Sequence, residues 1–116
     1  KSAMRVYELM IIFDGDAEET AINAHLANVT KLVEADNGKV AKTDRWGRRR
    51  FAYEINHKWE GIYVVLEIST EGRDLHEVER VLHIADEVVR HKVMRLPEKE
   101  AVRRGLLGDA TPATAG

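Results

Sequence analysis

Three consecutive arginines lie among three aromatic rings in the segment from Trp46 to Ile55. Arginine guanidinium groups bind phosphate oxygens bidentately and stack on flat rings. The composition of this segment is therefore typical of a contact with RNA or another polyanion, and not of a catalytic centre. The alternative is a solvated edge strand whose charges prevent aggregation.

Side chains alternate between the two faces of a β-strand. Beyond a break at Gly47, this alternation separates Arg49 from the arginines on either side of it. One face is predicted to carry Phe51, Tyr53 and Ile55, and the other Arg48, Arg50 and Ala52. The three arginines are therefore not expected to be equivalent.

Four aromatic residues have two interpretations. Trp46, Tyr53, Trp59 and Tyr63 have the ring chemistry for stacking on bases. The other interpretation is cross-strand packing, which we favour for Tyr63. We expect contact with the RNA backbone rather than recognition of single-stranded bases.

The net charge does not by itself favour RNA. Lys and Arg total 18 against 20 for Asp and Glu, a formal charge of −2, whereas a domain that binds RNA through bulk charge is usually basic. The cations are concentrated in two runs, Lys39 to Arg50 and Arg90 to Arg95, and the acids at Asp14 to Glu19 and Glu77 to Glu87. Affinity for RNA must therefore come from local patches or from a basic partner.

The five histidines do not form a metal-binding or catalytic pattern. His76 and His83 are too far apart for the i, i+4 pairing of a helical metal site, and His25 has no obvious partner in the sequence. There is no cysteine, and neither a glycine-rich phosphate loop nor a serine-nucleophile elbow is present. The sequence therefore predicts no metal site and no cofactor.

The length of 116 residues fits one domain, predicted over residues 1–97, with a flexible tail over residues 98–116. No apolar run approaches the length of a membrane span, so no membrane partner is expected. Apolar spacing predicts four strands, from Arg5 to Phe13, Lys39 to Ile55, Ile62 to Ser69 and Glu87 to Arg95. It also predicts two helices, one that buries Ile22 to Val33 after the first strand and one around Leu75 to Ala85 after the third. This order predicts an α+β, ferredoxin-like split βαβ fold (βαββαβ), with a four-stranded antiparallel sheet ordered 4-1-3-2 and both helices on one face.

Local signals predict where these elements begin and end. Asp16 is predicted to cap the first helix, with Glu19 three residues later, and Asn37-Gly38 to end it in a left-handed turn. The residues from Asn56 to Gly61 are predicted to form the hairpin loop, which places Trp59 outside the strands.

Five segments between Met4 and Leu96 carry a resemblance to a known family. They are Met4 to Met10, Gly38-Lys39-Val40, Trp46 to Ile55, Glu60 to Val64, and Asp86 to Met94. Together, and in this order, they resemble the bacterial small-subunit ribosomal protein six family. Phe51 stands where leucine is usual in that family, and Glu54 where many members carry proline.

The resemblance implies a structural, non-catalytic role in the ribosome, in the cytoplasm. Members of the family bind the central domain of small-subunit ribosomal RNA together with small-subunit ribosomal protein eighteen, a small basic protein, as a heterodimer. A basic partner also explains an acidic net charge. The candidate residues for binding RNA or this partner are Arg5, Arg45, Trp46, Arg48, Arg49, Arg50, Tyr53, Arg90, His91, Lys92, Arg95, Arg103 and Arg104.

The C-terminal segment has an expected role of its own. In the family, the C-terminal extension runs toward the partner protein. Glu98 to Leu107 is therefore expected to order on the partner or on RNA.

Two other classes of function remain open from the sequence. One is a ferredoxin-like regulatory module that dimerises through its sheet and binds a small ligand. The other is a small dimeric enzyme that uses a histidine, for which His91 is the strand candidate. Co-elution with a basic ribosomal partner, as opposed to self-association, discriminates these classes from an RNA-binding role.

Overall fold

The computed structural model describes residues 5–71, 75–97 and 99–100. Its elements are β1 (Arg5–Asp14), α1 (Glu19–Ala35), β2 (Lys39–Ile55), β3 (Lys58–Thr70), α2 (His76–Ile84) and β4 (Val88–Arg95). The strands form one antiparallel sheet in the order β2-β3-β1-β4. This order is 4-1-3-2 read from the other edge, so the predicted ferredoxin-like fold is confirmed.

Both helices pack on one face of the sheet. Alternate residues of β1 and β3 face the helices, and cross-strand pairs such as Leu9 with Leu66 and Ile11 with Val64 bring their side chains together. The buried core contains Tyr7, Leu9, Ile11, Phe13, Ile22, Val29, Val33, Val64, Leu66, Ile68, Leu75, Val78 and Leu82. The other face of the sheet carries no helix, and it is called the open face below.

The strand β1 is largely apolar on both faces, as its sequence predicts for a central strand, and Glu8 is the charged residue among its open-face positions. Val6 and Ile12 are buried on the open face, and Met10 is half-buried there. None of the helices in the described residues is long and apolar enough to span a membrane.

The beginning of α1 differs from the prediction. Glu18 occupies the N-cap position and makes no side-chain cap hydrogen bond, so the predicted Asp16 cap is wrong. The backbone N–H of Asp16 instead donates to Oδ1 of Asp14, at 2.9 Å. This hydrogen bond forms a turn that keeps Asp16 two residues before the N-cap. From that position its side chain does not cap the first N–H groups of the helix.

The end of α1 is confirmed as a left-handed turn. Asn37 has a φ of 60°, a conformation that asparagine tolerates better than most residues. The N–H of Gly38 donates to the carbonyl of Val33 at 2.9 Å. This bond runs back across the last turn and satisfies a carbonyl that the helix leaves free.

The hairpin between β2 and β3 is tighter than predicted. Its turn is only Asn56-His57, with φ values of 49° and 65°. Two consecutive positive φ values are typical of the two-residue turn whose twist matches the flanking strands. The predicted loop extending to Gly61 is therefore wrong, and Trp59 lies within β3.

The predicted boundary between domain and tail stays a prediction. The strand β4 ends at Arg95, and Leu96 is buried, with its N–H donating to the carbonyl of Val6 at 2.8 Å. Most of the predicted tail, including Arg103 and Arg104, lies outside the described residues.

Candidate nucleic-acid interface

The edge strand β4 places two cations on the open face of the sheet. Arg90 pairs with Ile12 of β1, and Lys92 pairs with Met10. Paired residues on neighbouring strands share a face, and Ile12 and Met10 point away from the helices. Arg90 and Lys92 therefore project from the open face.

Three other candidate residues occupy positions on the helix side of the sheet. His91 lies between the two open-face cations, and its Nε2 is 3.4 Å from a carboxylate oxygen of Glu79 on α2. Arg95 pairs with the core residue Tyr7, and Arg5, two residues before Tyr7 on β1, shares its face. The structure therefore divides the predicted basic run of β4 between two surfaces.

A groove of about 440 Å³ lies on the open face, between the end of β2 and the strands β1 and β4. Its apolar and aromatic lining comes from Met10, Ile12, Phe51, Tyr53, Ile55 and Tyr63, and its cationic lining from Arg50, Arg90 and Lys92. Phe51 is buried, whereas Tyr53 is 63% exposed. An apolar floor with a cationic rim suits a ligand that combines flat or apolar groups with negative charge.

The aromatic residues at the centre of β2 and β3 form a stack beside this groove. Trp46 and Tyr63 lie with nearly parallel rings, at an angle of 7° and a centroid distance of 6.0 Å. Phe51 meets the same tyrosine edge-on. The cross-strand packing favoured for Tyr63 is confirmed. Trp46 is still 44% exposed, and the guanidinium carbon of Arg49 lies 5.3 Å from its ring centroid.

The alternation predicted for the three arginines is present. They pair with three consecutive residues of β3 without a register shift, and Arg48 pairs with Ile62 on the helix side. Arg49 therefore faces the open side, whereas Arg50, opposite Glu60, belongs by register to the face of Arg48 although it also lines the groove. No ion pair joins Arg49 or Arg50 to a carboxylate among the residues that the structure describes.

Two of the candidate arginines have acidic or polar partners within the protein. The guanidinium of Arg45 donates hydrogen bonds to Glu19 and Asn23 of α1. Nη1 of Arg48 lies 3.8 Å from a carboxylate oxygen of Glu60. These contacts were missed from the sequence because the partners lie on other elements, and they partly neutralise Arg45 and Arg48.

The acidic residues collect away from the open-face groove. The two acidic runs of the sequence meet at the end of β1, where they line a shallow depression beside the start of α1. Its lining includes Asp14, Asp16, Glu18, Asp86 and Glu87. The open face still carries Glu8 and Glu67, which lie opposite each other on β1 and β3, but neither of them lines the groove. Among the described residues, the groove therefore has a cationic lining without a carboxylate, whereas the two acidic runs meet at the end of β1.

Two ion pairs stabilise this acidic region. A hydrogen bond from Lys58, at 2.8 Å, lowers the pKa of Asp14, and the backbone N–H of Asp16 adds to the effect. A hydrogen bond from Nε2 of His25, also at 2.8 Å, lowers the pKa of Glu87. The expectation that His25 has no acidic partner is therefore wrong. Its partner is 62 residues away, and no local pattern in the sequence reveals it.

Within the described ranges, no group of three or more His, Cys, Asp or Glu residues is arranged to hold a metal ion. No buried side-chain polar atom there lacks a hydrogen-bond partner. The cationic groove and the exposed aromatic rings beside it are features typical of a binding protein.

Comparison with known proteins agrees with this class. Residues 6–95 match the family described as ribosomal protein S6. The chain is 46% identical over 93 residues to small ribosomal subunit protein bS6 of Corynebacterium efficiens, covering 80% of this chain and 98% of that protein. It is 45% identical over 92 residues to the protein of the same name from Streptomyces griseus, covering 79% and 96%.

A solved structure extends the comparison to the fold. The crystal structure of 30S ribosomal protein S6 from Thermotoga maritima superimposes with a TM-score of 0.78 and 32% sequence identity, covering 88% of this chain and 96% of that chain. The chain therefore belongs to the ribosomal protein S6 family. It is accordingly a structural protein of the small ribosomal subunit in the cytoplasm, and not an enzyme.

Sequence reasoning found most of the charged residues of this surface and missed part of its floor. Met10 and Ile12 line the groove, although β1 carries no motif that marks them. Their alternation with the core residues of β1 places them on the open face, and this was the available signal.

Proposed function

We propose that the chain binds the central domain of small-subunit ribosomal RNA together with small-subunit ribosomal protein eighteen. The observation that carries this proposal is the cationic lining of the open-face groove, which contains no carboxylate of the described residues. Arg49, Arg90 and Lys92 project from the open face and Arg50 lines its groove. None of the four has an ion pair to a described carboxylate. Phosphate oxygens are the natural partners of such free cations.

The acidic balance of the whole chain supports a shared binding site. With a net charge of −2, long-range attraction to RNA is weak, and only the local patch contributes favourable charge. A small basic partner bound beside this patch supplies the additional positive charge that this chain lacks. We therefore expect the isolated protein to bind RNA weakly and the heterodimer to bind it tightly.

A gel-shift titration of a central-domain RNA fragment, with and without protein eighteen, tests this proposal. The partner is expected to strengthen binding by at least tenfold. It is also expected to steepen the salt dependence of binding, by roughly 0.7–0.9 in slope for each additional phosphate contact. Tight and specific binding by this chain alone would contradict the role given to the partner. Self-association with no affinity for either partner would favour the regulatory module instead.

A pair of matched variants tests the surface itself. The double variant Arg90→Met/Lys92→Met removes two open-face cations, whereas Arg80→Met removes one cation of α2 that already pairs with Glu77. The heterodimer carrying the double variant is expected to bind RNA at least tenfold more weakly, with a salt slope reduced by about two phosphate contacts. The Arg80 variant is expected to bind as the wild type does. A loss of binding free energy in the Arg80 variant about half as large as that in the double variant would mean that only net charge matters.

A further inference from the structure

Trp46 and Arg49 lie on the same face of β2, although they are three residues apart. In a regular strand, residues at this spacing point to opposite faces. The register of β2 shifts between Arg45, which pairs with Val64, and Gly47, which pairs with Tyr63. Trp46 is therefore an extra residue, and the resulting bulge turns its ring to the open face, where Tyr63 lies.

Gly47 makes this bulge possible through its backbone conformation. Its φ is +86°, in the left-handed region, and a methyl group on its Cα would meet no atom within 4 Å. A side chain at this position would therefore have room. Glycine is favoured there because of the positive φ. Gly47 therefore sets the position of Trp46 relative to Arg49.

The arrangement leaves Trp46 unsuited to binding a base on the face that Arg49 covers. The guanidinium lies 5.3 Å from the ring centroid, a typical distance for a cation–π contact, and a stacked base would have to displace it. The ring of Trp46 also lies against Tyr63, which restricts its rotation. The guanidinium of Arg49 thus rests on a fixed ring while its N–H groups remain free of any carboxylate in the described residues.

We propose that Trp46 is a positioning residue for Arg49, and that Arg49 binds a phosphate of the RNA backbone. This inference rests on the proposed function. A free arginine loses side-chain conformational entropy when it binds. Stacking on Trp46 restricts Arg49 before RNA arrives, so less entropy remains to be lost. The tryptophan contributes to RNA affinity through the arginine and not as a platform for bases.

A mutant cycle in the full chain, bound to protein eighteen, tests the coupling. The variants are Trp46→Leu, Arg49→Met and their combination, with Trp46→Phe as the conservative replacement and Arg80→Met as the charge control. Arg49→Met is expected to weaken binding of the central-domain fragment roughly tenfold and to reduce the salt slope by about one phosphate contact. Trp46→Leu is expected to weaken binding about threefold. The combination is expected to bind no more weakly than Arg49→Met alone, and Trp46→Phe is expected to restore wild-type affinity.

Side-chain dynamics give a readout that does not depend on RNA. NMR relaxation of the Arg49 Nε–H group is expected to show a restricted side chain in the wild type and in Trp46→Phe, and a mobile one in Trp46→Leu. Thermal stability is expected to change little in any of these variants, since Trp46 and Arg49 are exposed. A merely structural role for Trp46 predicts a loss of stability and no coupling to Arg49.

The possible results separate this inference from the proposed function. If the wild-type heterodimer binds RNA but the losses from Trp46→Leu and Arg49→Met simply add, Trp46 contacts RNA itself and the positioning role is wrong. If Arg49→Met weakens the contact with protein eighteen and leaves the salt slope intact, Arg49 binds the protein and not phosphate. If the wild-type heterodimer does not bind RNA, the proposed function and the phosphate contact are both wrong. If NMR shows a mobile Arg49 side chain in the wild type, Trp46 does not position Arg49 and the positioning role is wrong.

Discussion

Lys58 and Asp14 join the β2–β3 hairpin to the end of β1, with Nζ of the lysine 2.8 Å from Oδ2 of the carboxylate. The other oxygen of Asp14 accepts the N–H of Asp16 at 2.9 Å. The backbone N–H of Asp14 donates to the carbonyl of Glu87, just before β4, at 2.8 Å. Asp14 thus connects the start of β3 with the region that leads into β4.

This connection predicts a stability that depends on pH. The Lys58 hydrogen bond lowers the pKa of Asp14 in the folded state. Because the folded-state pKa is lowered, the Asp14 carboxylate contributes to the free energy of unfolding above its unfolded pKa, near 4. This contribution is lost as pH falls through the folded-state pKa. Denaturant midpoints measured from pH 7 to pH 2 are therefore expected to fall less steeply for Asp14→Asn than for the wild type. Glu34→Gln, an exposed carboxylate of α1, is the control, and identical curves for wild type and Asp14→Asn would refute the linkage.

Substitutions in the core are expected to destabilise the fold. Leu66 and Leu82 are 2% and 1% exposed, on β3 and α2 respectively. Leu66→Ala and Leu82→Ala are each expected to lower the free energy of unfolding by roughly 2–5 kcal/mol, because truncation leaves a cavity in a packed core. Chemical denaturation measures the loss. Ile84→Ala is the control, since Ile84 is 65% exposed, and a midpoint unchanged by either leucine substitution would contradict its burial.

Gly61 is expected to resist substitution because of close packing. A methyl group on its Cα would lie 2.6 Å from Cγ2 of Ile12 and 2.8 Å from the carbonyl oxygen of Phe13. Gly61→Ala is expected to cost about 1–3 kcal/mol, the usual range for overpacking. Gly47→Asn, at an open position with a positive φ that asparagine tolerates, is expected to cost less when both are measured by thermal unfolding. A larger loss at Gly47 would mean that backbone conformation outweighs packing in this sheet.

The segment beyond Leu96 is expected to act in binding the partner and not in stability. Truncation after Leu96 retains the buried Leu96 side chain and its hydrogen bond to Val6. The truncated protein is expected to keep nearly the same melting temperature and to bind protein eighteen more weakly in calorimetric titrations. Deletion of residues 112–116 alone is the matched control. Full affinity after the longer truncation would remove the reason to assign this segment a docking role.

Local patterns in the sequence were sufficient for most of the fold. The apolar alternation of β1 and the helical spacing of Ile22, Val29 and Val33 follow directly from the periods of strand and helix. The left-handed end of α1 at Asn37-Gly38 was also predictable, because few residues tolerate a positive φ. Errors arose at Asp16 and in the hairpin, where a competing turn or a shorter loop was compatible with the same residue types.

The sequence by itself also determined the type of surface, since three arginines among aromatic rings indicate contact with a polyanion. Which arginines remain free was decided only by the tertiary structure. Arg45 meets Glu19 and Asn23 of α1, whereas Arg49 meets Trp46 within its own strand. The contacts of Arg45 join residues more than twenty positions apart, and alternation along one strand carries no information about such partners. The position of Trp46 beside Arg49 depends on a one-residue bulge, which shifts the face of a side chain because the strand period is two.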